Sequence, residues 1–188
     1  FLEDVVELHV PRQRVGGHEL AQLAHRLAAQ IDGPVYIRAT RPNTAVLYAP
    51  TVTFEAGKAQ VLAESADDVI TVMAAGITVH EAIKAANLLR NDGISIRVVD
   101  LFSIAPLDHD LIRHCATKTP KGIVTVEDHY RHGGLGGAVL DSLATAPVPV
   151  RKLAVNRVPH SGASAELLEK YGISAKDIAQ AVRDMVAP

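Results

Sequence analysis

The sequence predicts an α/β fold, an open three-layer arrangement with a mostly parallel sheet and helices on both faces. Three observations predict it. From residue 59 onward, apolar runs of strand length alternate four times with segments of helical periodicity. The run Val69-Ile-Thr-Val-Met-Ala-Ala75 is continuously apolar, as in parallel strands covered on both faces. The stretch from Val124 to Val139 passes from an apolar run into Glu127-Asp128-His129, and four glycines follow within residues 133–137. That is a buried strand emptying through a tight turn into a helix, at the end of the sheet where such folds place ligands or partners. Crossovers between these strands are right-handed.

The elements follow in order. Residues 1–50 read differently from the rest: an apolar-acidic stretch from Leu2 to Leu8, then the turn-like Pro11-Arg-Gln-Arg-Val-Gly-Gly17. His18 to Ile31 is helical, with Leu20, Leu23, Ala24 and Leu27 on one face, and Gly33-Pro34 stops it. Val35 to Ala39 is a strand that Arg41-Pro42-Asn43 then leaves, and residues 50–53 are a linker. Ala59 to Ala63 is a short strand and Val69 to Ala75 a buried one. Thr78 to Arg90 is a helix, with Thr78 and Glu81 spaced as a capping box and Gly93 as its stop. Ile94 to Asp100 is the next strand, and Pro106 to Ala116 a short helix with proline near its start. Ile123 to Val126 and Val150 to Val155 are strands on either side of a helix from Gly136 to Ala144. Ser164 to Tyr171, stopped by Gly172, and Ser174 to Val186 are closing helices, the last with Ser174 and Asp177 as a start signal.

Composition sets limits on function. The chain has 188 residues, 48% hydrophobic and 4% aromatic with no Trp, so the core is built of Val, Ile, Leu and Ala. Net charge is −2 and no basic stripe appears, which excludes a nucleic-acid footprint. No apolar run approaches the roughly 18 residues that span a bilayer. Cys115, the one cysteine, sits in a helical pattern and reads as a small core residue; a chain with no possible internal disulfide fits a reducing, cytoplasmic setting. The first residue is Phe1, no signal-peptide pattern follows, and the chain reads as a piece of a longer one.

Several candidate sites can be weighed from residues alone. The turn Ala74-Ala-Gly-Ile-Thr-Val79 holds one glycine where a dinucleotide fingerprint has three, although Asp100 stands where an acid would hold a ribose. Gly133-Gly-Leu-Gly-Gly137 has two readings: backbone N–H groups cradling an anion at a helix start, helped by Arg131 and His132, or glycines allowing close packing against another chain or domain. Glu127, His129 and His132 fit a structural acid–histidine network better than a metal site, for no fourth ligand stands nearby. Asn156-Arg-Val-Pro-His-Ser-Gly162 is a loop after a strand and not a nucleophile elbow. Arg38 and Arg41 flank a strand end, where a guanidinium fork can grip phosphate or carboxylate.

Taken together, several segments resemble the C-terminal part of the transketolase family. Gly33-Pro-Val-Tyr-Ile-Arg-Ala-Thr-Arg-Pro42 is similar to the end of its pyrimidine-binding domain, and Phe54-Glu-Ala-Gly-Lys-Ala59 to the start of its C-terminal domain. Ile96 to Asp108, Val126-Glu-Asp-His-Tyr130 with Gly133-Gly-Leu-Gly136, Leu153-Ala-Val-Asn-Arg-Val-Pro159, Ser161-Gly162 and Glu166-Leu-Leu168 continue the match. Deoxyxylulose-phosphate synthases and the β subunits of 2-oxoacid dehydrogenases share the middle motifs and form an alternative; the stretches 37–42 and 153–168 favour transketolase. An alternative of another class is a stand-alone anion-binding or regulatory α/β module. Residues 1–29 match poorly; Leu2-Glu-Asp4 resembles the start of a late pyrimidine-domain helix.

The resemblance implies an enzyme moving a two-carbon ketol unit between sugar phosphates, with thiamine diphosphate and a divalent metal (Mg2+ or Ca2+) supplying the chemistry. It divides the chain into a pyrimidine-domain remnant (1–50), a linker (51–58) and a C-terminal α/β domain (59–188) whose small sheet has one antiparallel strand. It places cofactor, metal and catalytic groups outside this chain, which holds no Gly-Asp-Gly segment and is inactive alone. It gives the chain a structural, dimer-supporting role in a homodimer, alongside the remaining domains or subunit. It leaves Arg41 as the one substrate-binding residue, on the sugar phosphate.

Overall fold

The computed structural model describes residues 5–12, 14–15, 18–49 and 51–187. The chain opens with strand β1 (Val6–Arg12), a small hairpin of β2 (Arg14–Val15) and β3 (His18–Glu19), helix α1 (Leu20–Ala28) and strand β4 (Val35–Asn43). β1 and β4 run parallel, in register from Val6↔Val35 to Val10↔Ala39; the register then shifts, and Arg12 pairs with Asn43. Two expectations are corrected here. Pro11 stands inside a strand and not at the start of a turn, and β4 continues through Arg41-Pro42 to Asn43. The reason is common to both: each proline lies in the stretch where the ladder is irregular, so its missing N–H removes no regular ladder bond. α1 starts two residues after His18 because His18 and Glu19 pair with Val15 and Arg14. Leu2 to Asp4, Gln13, Gly16 and Gly17 lie outside the described residues.

The second sheet has five strands, built from β5 (Gln60–Ala63), β6 (Ile70–Ala74), β7 (Ile96–Asp100), β9 (Ile123–Tyr130) and β10 (Val150–Val155), in the order β10-β9-β6-β7-β5. β6 pairs parallel with β7 and β9, β10 parallel with β9, and β5 antiparallel with β7. This is the mostly parallel sheet with one antiparallel strand. Helix α2 (Ile77–Arg90) and the closing helices α5 (Ser164–Lys170) and α6 (Ala175–Val186) cover one face; α3 (His109–Lys118) and α4 (Leu135–Ser142) cover the other. Strand β6 shows why its apolar run has no alternation. Ile70, Val72 and Ala74 pack with Val79, Leu89, Ile178 and Val182, while Met73 packs the opposite way with Val99, Ile112 and Val139. Burying a side chain of this size stabilises by about 1.5–3 kcal/mol relative to exposure. Cys115 lies in the same second layer, fully buried, and burial pushes its thiol up.

Strand β8 (Ser103–Ala105) was not expected. It leaves the second sheet after β7 and pairs antiparallel with β1, Leu8 opposite Ser103, to complete a first sheet of order β4-β1-β8. A separate small core sits beneath that joint: Leu8, Ala24, Tyr48 and Phe102, with Phe54 edge-on to both Tyr48 and Phe102 at 5.0 Å. After β8 the helix starts later than Pro106. Asp108 is the N-cap of α3, and its carboxylate accepts the Leu111 N–H at 3.1 Å.

The two capping boxes read from sequence have opposite outcomes. Ser174 and Asp177 form one in full at the start of α6. Thr78 and Glu81 do not. Gly76, at φ +63°, is the N-cap of α2. The Thr78 hydroxyl donates to the carbonyls of Ala75 and Val126, both at 2.9 Å. Glu81 accepts the Ala175 N–H at 2.8 Å and the Lys84 ammonium at 2.6 Å, so it caps α6 and not its own helix.

Candidate functional site at the carboxyl ends of β6 and β9

From β6 the chain steps outward through α2 to β7; it later returns past β6 to β9 and β10. The loops after β6 and β9 therefore diverge, and open α/β sheets leave a crevice at such a point. Here the crevice has a volume of about 360 Å³, with Gly76, Asp128, His160 and Tyr171 on one side and His9 and Arg38 from the first sheet on the other. The opening segment thus roofs the carboxyl end of the second sheet.

A bidentate contact across the crevice joins Arg38 of β4 to Asp128 of β9. Arg38 donates from Nη1 to Oδ1 at 2.6 Å and from Nη2 to Oδ2 at 3.0 Å; Nη2 also donates to the Asp128 carbonyl at 3.1 Å. Fork-to-fork pairing of this kind fixes orientation as well as distance. Beside it, His9 Nε2 lies 2.7 Å from Glu7 Oε1. On the opposite wall the Tyr171 hydroxyl accepts the His160 N–H at 2.7 Å, which ties down the 156–163 loop, and the Arg157 guanidinium lies 5.5 Å from the Tyr171 ring centre.

A second side-chain contact between the opening segment and the second sheet lies outside the crevice lining. The Tyr48 hydroxyl donates to Asp100, which is fully buried at the carboxyl end of β7. The other oxygen of Asp100 has no hydrogen-bond partner among the described residues. Burial pushes the Asp100 carboxyl up to about 7, and burial with Asp100 alongside pushes the Tyr48 hydroxyl up as well. Asp100 is therefore committed to Tyr48 and does not stand free for a ribose.

The glycine-rich turn resolves between its two readings, with a change of partner. Glu127 accepts the Leu135 N–H at 2.7 Å and the Gly136 N–H at 3.0 Å, so the start of α4 already holds an internal carboxylate. The glycines are needed because that approach is close. A Cβ on Gly134 would overlap the Glu127 carboxylate, and one on Gly136 would come within 2.7 Å of Thr125 Oγ1 and Lys152 Cε. The turn packs on its own strands. His129 Nδ1 lies 3.0 Å from the Tyr130 carbonyl and 4.0 Å from Glu127, and among the described residues no cluster of three metal-ligating side chains occurs.

Arg41 lies on β4, three residues beyond Arg38; its side chain lies outside the described residues. Sequence reasoning named Arg38 at the strand end but gave it no partner, and it missed Tyr48 altogether. No local signal could have supplied either pair, for the partners stand 90 and 52 positions apart.

Comparison with known proteins agrees with this fold. The family profile described as transketolase, C-terminal domain, matches residues 57–178. The chain is 50% identical over 161 residues to transketolase-like protein 2 of Mus musculus, a match covering 85% of this chain and 26% of that protein. It is 48% identical over 164 residues to transketolase of Homo sapiens, covering 87% and 26%. The chain thus spans about a quarter of the length of the curated relatives it matches. Among solved structures, a split-gene transketolase described as an inactive beta4 tetramer superposes with a TM-score of 0.83 at 36% identity, over 97% of this chain and 57% of that one. Transketolase from Campylobacter jejuni shares the fold, with a TM-score of 0.71 at 17% identity over 96% and 26%. With the profile matching most of its length, the chain belongs to the transketolase family and carries that family's C-terminal domain.

Proposed function

We propose that this chain is the C-terminal part of a thiamine-diphosphate-dependent transketolase that transfers a two-carbon ketol unit between sugar phosphates. In this reading residues 1–50 are the end of the pyrimidine-binding domain, 51–58 a linker and 59–188 the C-terminal domain. The region is mainly structural and supports a homodimer, and Arg41 binds the substrate phosphate. The observation that carries the reading is the placement of the motif Ile37-Arg-Ala-Thr-Arg-Pro42 on β4, docked over the carboxyl end of a sheet of this family.

The residues of this chain do not fit the cofactor. The sequence holds no Gly-Asp-Gly segment, and the N–H groups at the start of α4 that could meet a diphosphate are occupied by Glu127. Thiamine diphosphate, which supplies the carbanion chemistry, and its Mg2+ or Ca2+ belong in this reading to the domains outside the chain. The related split-gene β tetramer is described as inactive, which supports a chain that is incomplete alone. The occupied α4 start also speaks against the stand-alone anion-binding module. A cytoplasmic location rests on the single buried cysteine; no helix among the described residues is long and apolar enough to cross a membrane.

Two measurements test the reading. This chain alone, given thiamine diphosphate, Mg2+ and sugar phosphates, transfers no ketol unit; activity would overturn the assignment of the catalytic groups to other domains. In the whole enzyme, Arg41→Ala raises KM for a phosphorylated acceptor by roughly 10–100-fold, the loss of a charge-assisted contact of about 1.5–3 kcal/mol. An unchanged KM removes Arg41 from the site.

A further inference from the structure

We propose that Asp128 and Asp100 are positioning residues for the transfer reaction: from the carboxyl ends of β9 and β7 they grip the segment 38–48 on either side of Arg41 and so fix the strand that presents it. The inference rests on the reading of Arg41 given above and extends it to how that arginine is held.

β4 pairs with β1 along one side, in register up to Ala39; the next paired position is Asn43. The register shifts between those two positions. Side chains on either side of Arg41 reach the second sheet. Arg38 stands three residues before Arg41, about 10 Å away along an extended strand. Its guanidinium is gripped by both carboxylate oxygens and the carbonyl of Asp128. Tyr48 follows Arg41 and is held through its hydroxyl by Asp100 and through its ring by Phe54. The two carboxylates sit on β9 and β7, the strands that flank β6. The segment therefore crosses the carboxyl end of the sheet, pinned at both sides.

Each pin suits the task. The Arg38–Asp128 pair is only partly buried, with side-chain exposures of 34% and 25%, so it adds little as a bare charge pair and much as a two-pronged geometric constraint. Asp100 is fully buried and accepts the Tyr48 hydroxyl on one oxygen, so breaking that contact would leave a buried carboxyl without its partner.

The test uses the whole enzyme with its cofactors. KM and kcat are measured with a phosphorylated acceptor and with an unphosphorylated aldehyde, for Asp128→Asn, Asp128→Glu and Arg38→Lys, alongside melting temperature. Asp128→Asn and Arg38→Lys are expected to raise KM for the phosphorylated acceptor by about 5–20-fold while leaving the unphosphorylated acceptor and kcat within about twofold. Asp128→Glu recovers part of the loss. Added to Arg41→Ala, Asp128→Asn has no further effect, since both act through one contact. If the variants lower the melting temperature and leave the ratio of the two KM values unchanged, the clasp is structural only and the inference falls. Arg38→Lys keeps the inference testable if Asp128→Asn does not fold. If Arg41→Ala itself leaves the ratio unchanged, the reading of Arg41 fails and takes this inference with it; if it changes the ratio and Asp128→Asn does not, only the positioning role is overturned.

Discussion

Asp100 shows how a single buried carboxyl can make the fold sensitive to pH in an unusual sense. Its folded pKa is raised to about 7 by burial, from an ordinary value of 3.8. The folded state therefore holds the proton more tightly than the unfolded one. Below the ordinary value both states are protonated and Asp100 contributes no pH dependence. Between the two values the unfolded chain has lost the proton and the folded chain keeps it, so this group makes stability fall as pH rises through that window. The contribution levels off once the folded carboxyl has also ionised. The slope approaches one proton, about 1.4 kcal/mol per pH unit. Asp100→Asn, which keeps an acceptor for Tyr48, is expected to be more stable relative to the native chain at pH 8 than at pH 4. Denaturant unfolding of the two proteins at both values checks it; a difference independent of pH would mean that Asp100 ionises normally.

Helix α4 makes the same kind of argument at the level of an element. Its first N–H groups are capped by Glu127, eight and nine positions upstream on β9, and Gly134 leaves room for the carboxylate. Gly134→Ala must displace Glu127, so overpacking of about 1–3 kcal/mol adds to the loss of two charge-assisted hydrogen bonds. Urea unfolding of this variant should show a loss of roughly 3 kcal/mol or more. Ser174→Ala removes only one half of the box at the start of α6 and should cost about 1 kcal/mol. These two helices also mark what the sequence could disclose. Strand β10 and the Ser174–Asp177 box were legible because their signals are local: an apolar run between turns, and a spacing of three residues. The Thr78–Glu81 spacing is identical in form, yet both side chains are drawn into contacts with Val126 and Ala175 that lie far along the chain. Strand β8 and the Arg38–Asp128 pair were illegible for the same reason, since only the folded sheets bring their partners near. The glycine turn falls between: its tightness was readable, its partner Glu127 was not.

Across the whole molecule the two sheets share a buried cluster. Phe102, from the second part, is buried against Leu8 and Tyr48 of the first, and Phe54 stands edge-on to the rings of Tyr48 and Phe102. Removing residues 1–48 exposes that cluster and is expected to lower the melting temperature by roughly 10 °C, on the basis of about 2–3 kcal/mol for one large apolar side chain returned to water. It should also increase binding of a hydrophobic dye. An unchanged melting temperature would show that the second sheet stands alone. The placement of β8 carries a consequence for biogenesis. Leu8 pairs with Ser103, so the third strand of the first sheet leaves the ribosome on the order of ten seconds after the first, at about 5–20 residues per second. Until then β1 and β4 form a two-stranded ribbon, which is marginal in water and leaves Leu8 open to chaperones or to strands of other nascent chains. A break in the gene between β1 and β8 would make closure of that sheet a bimolecular reaction governed by subunit concentration; a break upstream of β1 leaves it within one polypeptide, closing at the high effective concentration of a tethered pair.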